Sequence, residues 1–197
     1  MYRLLGRLYR EEIDAELLEQ LERDGALEAL REAGLDIDVP QDRPAWIEQL
    51  AVEYTRLFIG PGPHVSPHES VHAPDGSNLL NSERTAMVRR FIAAAGFEFE
   101  PSYSGYPDHI STEFEFMEAL IGCQLASLDE GNSEETDTSL MLQREFADRH
   151  LSKWLPAFCD RVAEQAELPL YASLASVTKE FIDIELAQLQ GSHSTGD

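Results

Sequence analysis

Residues 108–128 read DHISTEFEFMEALIGCQLASL, and their apolar members Ile110, Phe114, Met117, Ile121, Leu125 and Leu128 recur at steps of three and four. That spacing lays one stripe along an α-helix about six turns long, with Asp108 as its predicted N-cap. Working outward, the same period returns on both sides. Upstream, Met87, Val88, Phe91 and Ile92 mark a helix from Ser82 to about Ala95 that Gly96 ends, and Trp46, Leu50, Tyr54, Leu57 and Phe58 mark another from Pro44 to Phe58. Gly60, Pro61, Gly62 and Pro63 stop the latter abruptly. Leu17, Leu18, Leu21, Leu27 and Leu30 predict a single helix from Asp14 to Ala33, capped by Asp14 and stopped by Gly34.

Between these, Ser66-Pro67-His68-Glu69 has the order of a capping box and predicts a short helical turn through Ser70 and Val71. Downstream, Asp129 to Asp137 reads as an acidic loop. Helices from Thr138 to His150 and Leu155 to Ala166 follow, separated or kinked near Pro156, and a last one runs from Ala172 to Leu189. No Val/Ile/Thr-rich runs joined by hairpin turns interrupt this pattern. The expectation is one all-α domain over residues 1–189, a single-domain helical bundle, followed by a disordered tail at 190–197.

Thirty-seven acidic residues stand against fifteen basic ones, a net charge of −22 that repels phosphate backbones and anionic lipid. Nucleic-acid binding is therefore disfavoured. Only Lys153 and Lys179 are lysines, a usage that resembles the proteins of salt-accumulating, halophilic microbes. The two cysteines, Cys123 and Cys159, lie in apolar stretches without CxxC or Cys/His spacing, which fits a reducing cytoplasm better than a secreted scaffold. No apolar run approaches the ~20 residues of a membrane span, and the amino terminus lacks the apolar region of a secretory signal.

Residues that carry chemistry are few. His64, His68 and His72 are spaced by four, as metal ligands on one helix face would be, but Pro63 and Pro67 deny them a common helix. A helical metal-dependent hydrolase using these histidines and Asp108 is accordingly the second reading. No GxSxG elbow, SxxK or phosphate-binding glycine loop is present. Glu113, Glu115 and Glu118 lie beside His109, but the order differs from the Glu-x-x-His of di-iron bundles, so a solvated acidic face is expected there.

Three segments are more specific than core or loop requires. They are Tyr54-x2-Leu57-Phe58-x-Gly60-Pro61-Gly62 with the following Pro67-x2-Ser70-Val71, then Pro107-Asp108-His109-Ile110-x2-Glu113-Phe114-x-Phe116-Met117, then Phe146-x3-His150-Leu151-x2-Trp154-Leu155-Pro156-x-Phe158. In this order they resemble the TorD/DmsD/NarJ family of redox-enzyme maturation chaperones, over about Trp46 to Val162. The resemblance implies an all-helical, non-enzymatic cytoplasmic chaperone without a metal or cofactor of its own, either monomeric or a domain-swapped dimer. Its partner would be the twin-arginine leader, or the apo catalytic subunit, of a molybdenum-cofactor oxidoreductase of the DMSO, TMAO or nitrate reductase type, held until the cofactor is inserted and export can follow. The leader-binding surface it implies comprises Tyr54, Leu57, Phe58, Gly60, Pro61, Pro67, His68, Ser70, Asp108 and His109. Two positions depart from the family pattern: His68 stands where several members have tryptophan or tyrosine, and His72 where tyrosine is common.

The chemistry of such a leader is an arginine pair joined to an apolar run. A receptor for it needs exposed apolar side chains, for which Leu57, Phe58 and Val71 are the candidates, beside fixed carboxylates, for which Asp108, Glu69 and Glu113 are the candidates.

Overall fold

A computed structural model describes residues 1–72, 79–100 and 103–191. Ten helices appear among them: α1 (Tyr2–Arg10), α2 (Ala15–Arg23), α3 (Ala26–Glu32), α4 (Arg43–Tyr54), α5 (Glu69–His72), α6 (Glu83–Ala94), α7 (Ile110–Asp129), α8 (Ser133–Phe146), α9 (Ser152–Gln165) and α10 (Pro169–Gly191). The only β-pairing among the described residues is an isolated antiparallel bridge between His68 and His109. The all-α expectation holds.

Helix α7 is the spine. It packs against α1 on one side and α8 on the other, while α9 and α10 lie against each other. Helix α1, whose Tyr2, Leu5, Leu8 and Tyr9 are buried, is not among the helices expected from the sequence. Trp154, Tyr9, Tyr171, Phe114, Phe146 and Phe158 are the largest of the completely buried side chains. The edge-on ring pairs that Tyr9 makes with Phe58 and Phe158 tie α1 to the segment that follows α4 and to α9.

Several boundaries differ from expectation for local reasons. Asp14 caps α2 by accepting the Leu17 N–H at 2.7 Å, but Gly25 at φ 70° breaks the single helix expected to Ala33 into α2 and α3. The acidic segment after α7 is not all loop. Gly131 turns left-handed at φ 71°, Asn132 accepts the Glu135 N–H, and Glu134 and Glu135 sit in the first turn of α8, where carboxylates meet the positive end of the helix dipole. At the far end, Gln190 and Gly191 belong to α10, and residues 192–197 lie outside the described residues.

Two π-helical turns, Thr55–Ile59 and Ala147–Leu151, extend α4 and join α8 to α9. The first closes with the Gly60 N–H donating to the Thr55 carbonyl at 2.7 Å. Because the second carries the chain directly into α9, Pro156 does not separate two helices. It lies inside α9, where it withdraws one backbone donor. The buried Trp154, Leu155, Phe158 and Val162 hold that segment helical. Not every predicted core residue is inside: Met87, Leu125 and Leu128 are exposed.

Charge is dispersed over this surface in ion pairs that are mostly half exposed, each worth roughly 0–1 kcal/mol. Each pair takes one charge of either sign, so they leave the whole net charge of −22 in place. Salt screens the resulting self-repulsion, so the melting temperature is expected to rise between dilute and molar potassium chloride. A flat or falling melting temperature in that series would remove the salt-adapted reading. None of the described helices is long and apolar enough to cross a membrane.

Candidate functional site

The three sequence segments meet. Pro67–Glu69 lies alongside Asp108–Ile110, with the Glu69 N–H donating to the Asp108 carbonyl and the Ile110 N–H to the Pro67 carbonyl, both at 2.9 Å. The Ser70 N–H donates to Asp108 Oδ2 at 3.0 Å, so Asp108 reaches across to hold the start of α5. A four-residue helix has no stability of its own, and this docking supplies it. Asp108 is therefore not the cap of α7. His109 is, its Nδ1 accepting the Ser111 N–H at 3.2 Å. Nor does Ser66-Pro67-His68-Glu69 close as a capping box: Ser66 Oγ bonds His68 Nδ1 at 3.0 Å, and Glu69 points inward.

Beneath the bridge lies a buried polar cluster drawn from five elements. Glu69 receives the His150 Nδ1 at 2.8 Å and the Arg84 guanidinium at 3.3 Å, joining α5 to the second π turn and α6. The Trp154 indole N–H donates to Glu113 Oε2 at 3.0 Å. Glu113, expected on a solvated face, is fully buried. Burial, followed by the Glu69 carboxylate and with a further contribution from Asp108, pushes its pKa well above the ordinary carboxyl range, against the opposing hydrogen bond from Trp154. Glu113 thus carries its proton when the unfolded chain would have lost it.

That asymmetry has a sign. A group with a raised folded pKa stabilises the fold below its unfolded value, near 4.5, and the contribution is lost as pH rises through the folded value. Glu113→Gln keeps an acceptor for Trp154 and removes the ionisation. Its stability gain over the parent is expected to be small at pH 5 and to grow to about 1–3 kcal/mol at pH 8, since a tenfold change in proton affinity is worth about 1.4 kcal/mol. Urea denaturation at both pH values checks this; a gain independent of pH would contradict a proton held on Glu113.

Outside the bridge opens a crevice of about 460 Å³, lined by Arg10, His68, Tyr103, Tyr106, His109 and Glu115 among others. The His68 and His109 rings meet edge-on at 4.9 Å, and His68 meets Tyr106 at 5.5 Å. Burial lowers the pKa of His68, opposed by Asp108. Burial, His68 and Arg10 push His109 down to about 3, so at neutral pH both imidazoles are uncharged. The crevice therefore offers hydrogen-bonding and aromatic surface, with Arg10 and Glu115 as its fixed charges.

The ten residues expected to bind a leader divide between two layers. Pro61 is exposed, and Gly60, His68 and His109 are partly so. Tyr54, Leu57, Phe58, Pro67, Ser70 and Asp108 are buried. Phe58 packs against Tyr9, Tyr54, Phe158 and Tyr171, so with Leu57 it belongs to the core and not to an exposed groove. Pro67, His68, Ser70, Asp108 and His109 are brought together; no hydrogen bond or ring contact joins Gly60 or Pro61 to them. The carboxylates expected beside the groove, Asp108, Glu69 and Glu113, are all beneath it.

His64, His68 and His72 do not converge. They bond the Gly62 carbonyl, Ser66 Oγ and the Ser66 carbonyl respectively, and His72 stacks on Trp154 at 5.7 Å. Among the described residues no three His, Cys, Asp or Glu side chains are grouped to hold a metal ion. Residues of the site without a signal in the sequence are Arg10, Tyr103 and Ser111 at the crevice and Arg84 below it; Arg10, Ser111 and Arg84 act through contacts between separate elements, and Tyr103 through the crevice it lines.

The site is thus an all-helical scaffold that joins three sequence segments under one polar and aromatic crevice. By comparison with known proteins, the chain belongs to the nitrate reductase delta subunit family, whose model matches residues 12–160. It is similar to a selenate reductase assembly chaperone protein of Thauera selenatis, 30% identical over 168 residues that cover 84% of this chain and 80% of the relative. It is also similar to the chaperone protein TorD of Vibrio cholerae, 28% identical over 143 residues covering 72% of this chain. The chain spans about 63% of the length of that relative. A crystal structure described as a redox enzyme maturation protein from Archaeoglobus fulgidus shares the fold, with a TM-score of 0.58 at 23% identity, covering 93% of this chain and 94% of that one. The relatives named here are chaperones or assembly proteins, in line with the motif resemblance.

Proposed function

We propose that this protein is a cytoplasmic maturation chaperone for a molybdenum-cofactor oxidoreductase, binding the twin-arginine leader or the apo form of its catalytic subunit. The observation that carries the reading is the meeting of the first two family segments at the His68–His109 crevice, with the third tied to them beneath it through His150 and Trp154. The exposed Pro61 and the partly exposed Gly60, His68 and His109 contact the leader, and the buried Tyr54, Leu57, Phe58, Pro67, Ser70 and Asp108 hold them in place. Glu115, half exposed in the crevice and paired with Arg10, is the carboxylate within reach of a leader guanidinium, and the field of a −22 protein draws a cationic segment toward it.

Calorimetric titration with an Arg-Arg leader peptide, its Lys-Lys counterpart and a leaderless apo subunit tests the reading. Preferential binding of the Arg-Arg peptide supports it; binding of the leaderless subunit alone moves the interface away from the crevice. Asp108→Asn refines the test. An amide retains an acceptor for the Ser70 N–H, so stability is expected to fall by at most ~1 kcal/mol. Leader affinity is expected to fall about threefold to tenfold, because the charge beneath His68 is lost. Undiminished affinity would confine Asp108 to docking α5.

A further inference from the structure

Arg10 donates from both Nε and Nη2 to Ser111 Oγ, at 3.2 Å each, and is itself paired with Glu115 at 2.5 Å. With both lone pairs of that hydroxyl engaged, its proton is left for His109 Nδ1, 2.7 Å away. The Ser111 N–H points at the same nitrogen from 3.2 Å. A ring nitrogen that receives two donors carries no hydrogen, so a neutral imidazole here holds its proton on Nε2. Nε2 makes no hydrogen bond among the described residues, and His109 lines the crevice.

We infer that Arg10 and Ser111 are positioning residues that fix His109 as an Nε2–H donor, so that the crevice takes a hydrogen-bond acceptor, a main-chain carbonyl of a bound peptide, at this point. A guanidinium only donates and cannot bond there. The inference rests on the peptide-binding reading for its ligand but not for the state of the ring. It also separates two parts of the recognition: the histidine reads peptide backbone, and the arginine pair is left to carboxylate. The groups that face His109 are Arg10 from α1, Glu115 through Arg10, Ser111 from α7, His68 from the opposite segment, Asp108 beside it, and Tyr103 and Tyr106 from the crevice wall. Arg10 and His68 both oppose protonation of the ring, in keeping with this assignment.

Nitrogen-15 spectra of the imidazoles in the full chain read the tautomer directly. The parent is expected to show His109 with a protonated Nε2 and a bare Nδ1, unchanged between pH 5 and 8. Ser111→Ala removes the hydroxyl donor, and Arg10→Met removes both the charge and the group orienting that hydroxyl. Each is expected to give His109 a measurable Nδ1–H population or to bring its titration at least tenfold nearer the ordinary range near 6.5. A parent ring that titrates near 6.5 or holds its proton on Nδ1 would overturn the inference, as would variants with an unaltered ring.

Peptide affinity supplies the second arm, read with a fluorescent Arg-Arg leader. His109→Gln retains an amide donor and is expected to bind within about threefold of the parent, whereas His109→Leu loses about tenfold, the worth of one hydrogen bond. Equal losses in the two variants would overturn the donor role. A parent that binds no leader would sink the peptide-binding reading, while the nitrogen spectra would still decide what Arg10 and Ser111 do.

Discussion

Glu69→Ala is expected to lower folding stability by about 3–5 kcal/mol, because it strips two basic partners of a carboxylate that is wholly inside the protein. His150 is nearly as deeply buried as Glu69, and Arg84 is mostly so. The three side chains belong to the second π turn, α5 and α6, elements distant in sequence that hydrophobic contact alone does not orient. Loss of the carboxylate also frees α5 from beneath, leaving its four residues held by the backbone bridge to Asp108 and their remaining contacts. Urea denaturation checks the figure. A loss under ~1 kcal/mol would mean that the cluster is an accommodated burden and not a support.

Phe58→Ala is the other large effect, again about 3–5 kcal/mol. The ring is enclosed by Tyr9, Tyr54, Phe158 and Tyr171, so its removal leaves a cavity where α1, α4, α9 and α10 meet. Any loss of leader binding in this variant is expected to follow the loss of folded protein. Melting and binding curves measured together decide it: a Phe58→Ala protein that stays folded yet loses its leader would place the ring in the binding surface after all.

The apolar period of α7 and the glycines at 34 and 96 mark helices and their ends because those signals are local, and the structure has Gly34 and Gly96 at φ 99° and 86°. The break at Gly25 was within the same logic, but the leucines on either side keep helical phase and mask it. Asp108 and His109 show the limit more sharply. Asp is the better N-cap by intrinsic preference, yet its carboxylate is taken by the Ser70 N–H, 38 residues away, and the cap passes to His109.

Glu113 follows the same rule. Next to Glu115 and Glu118 it reads as part of a solvated face, and only the arrival of Trp154 from α9 and Glu69 from α5 makes its position an interior one. The motif segments were visible as sequence, but their meeting was not. Both π turns fall within those segments, and nothing in a helical period announces the extra residue that each accommodates. The crevice residues Arg10, Tyr103 and Ser111 were out of reach because their significance lies in one another.

The central claim, that a leader peptide occupies the His68–His109 crevice, is tested most directly by titrating an Arg-Arg leader into nitrogen-15-labelled protein and mapping the amide shifts. The account predicts changes concentrated in residues 65–71 and 103–115, with the α9–α10 face around Asp160 and Lys179 unmoved. Binding that perturbs the α9–α10 face and leaves the amides of His68, His109 and Ser111 in place would contradict it.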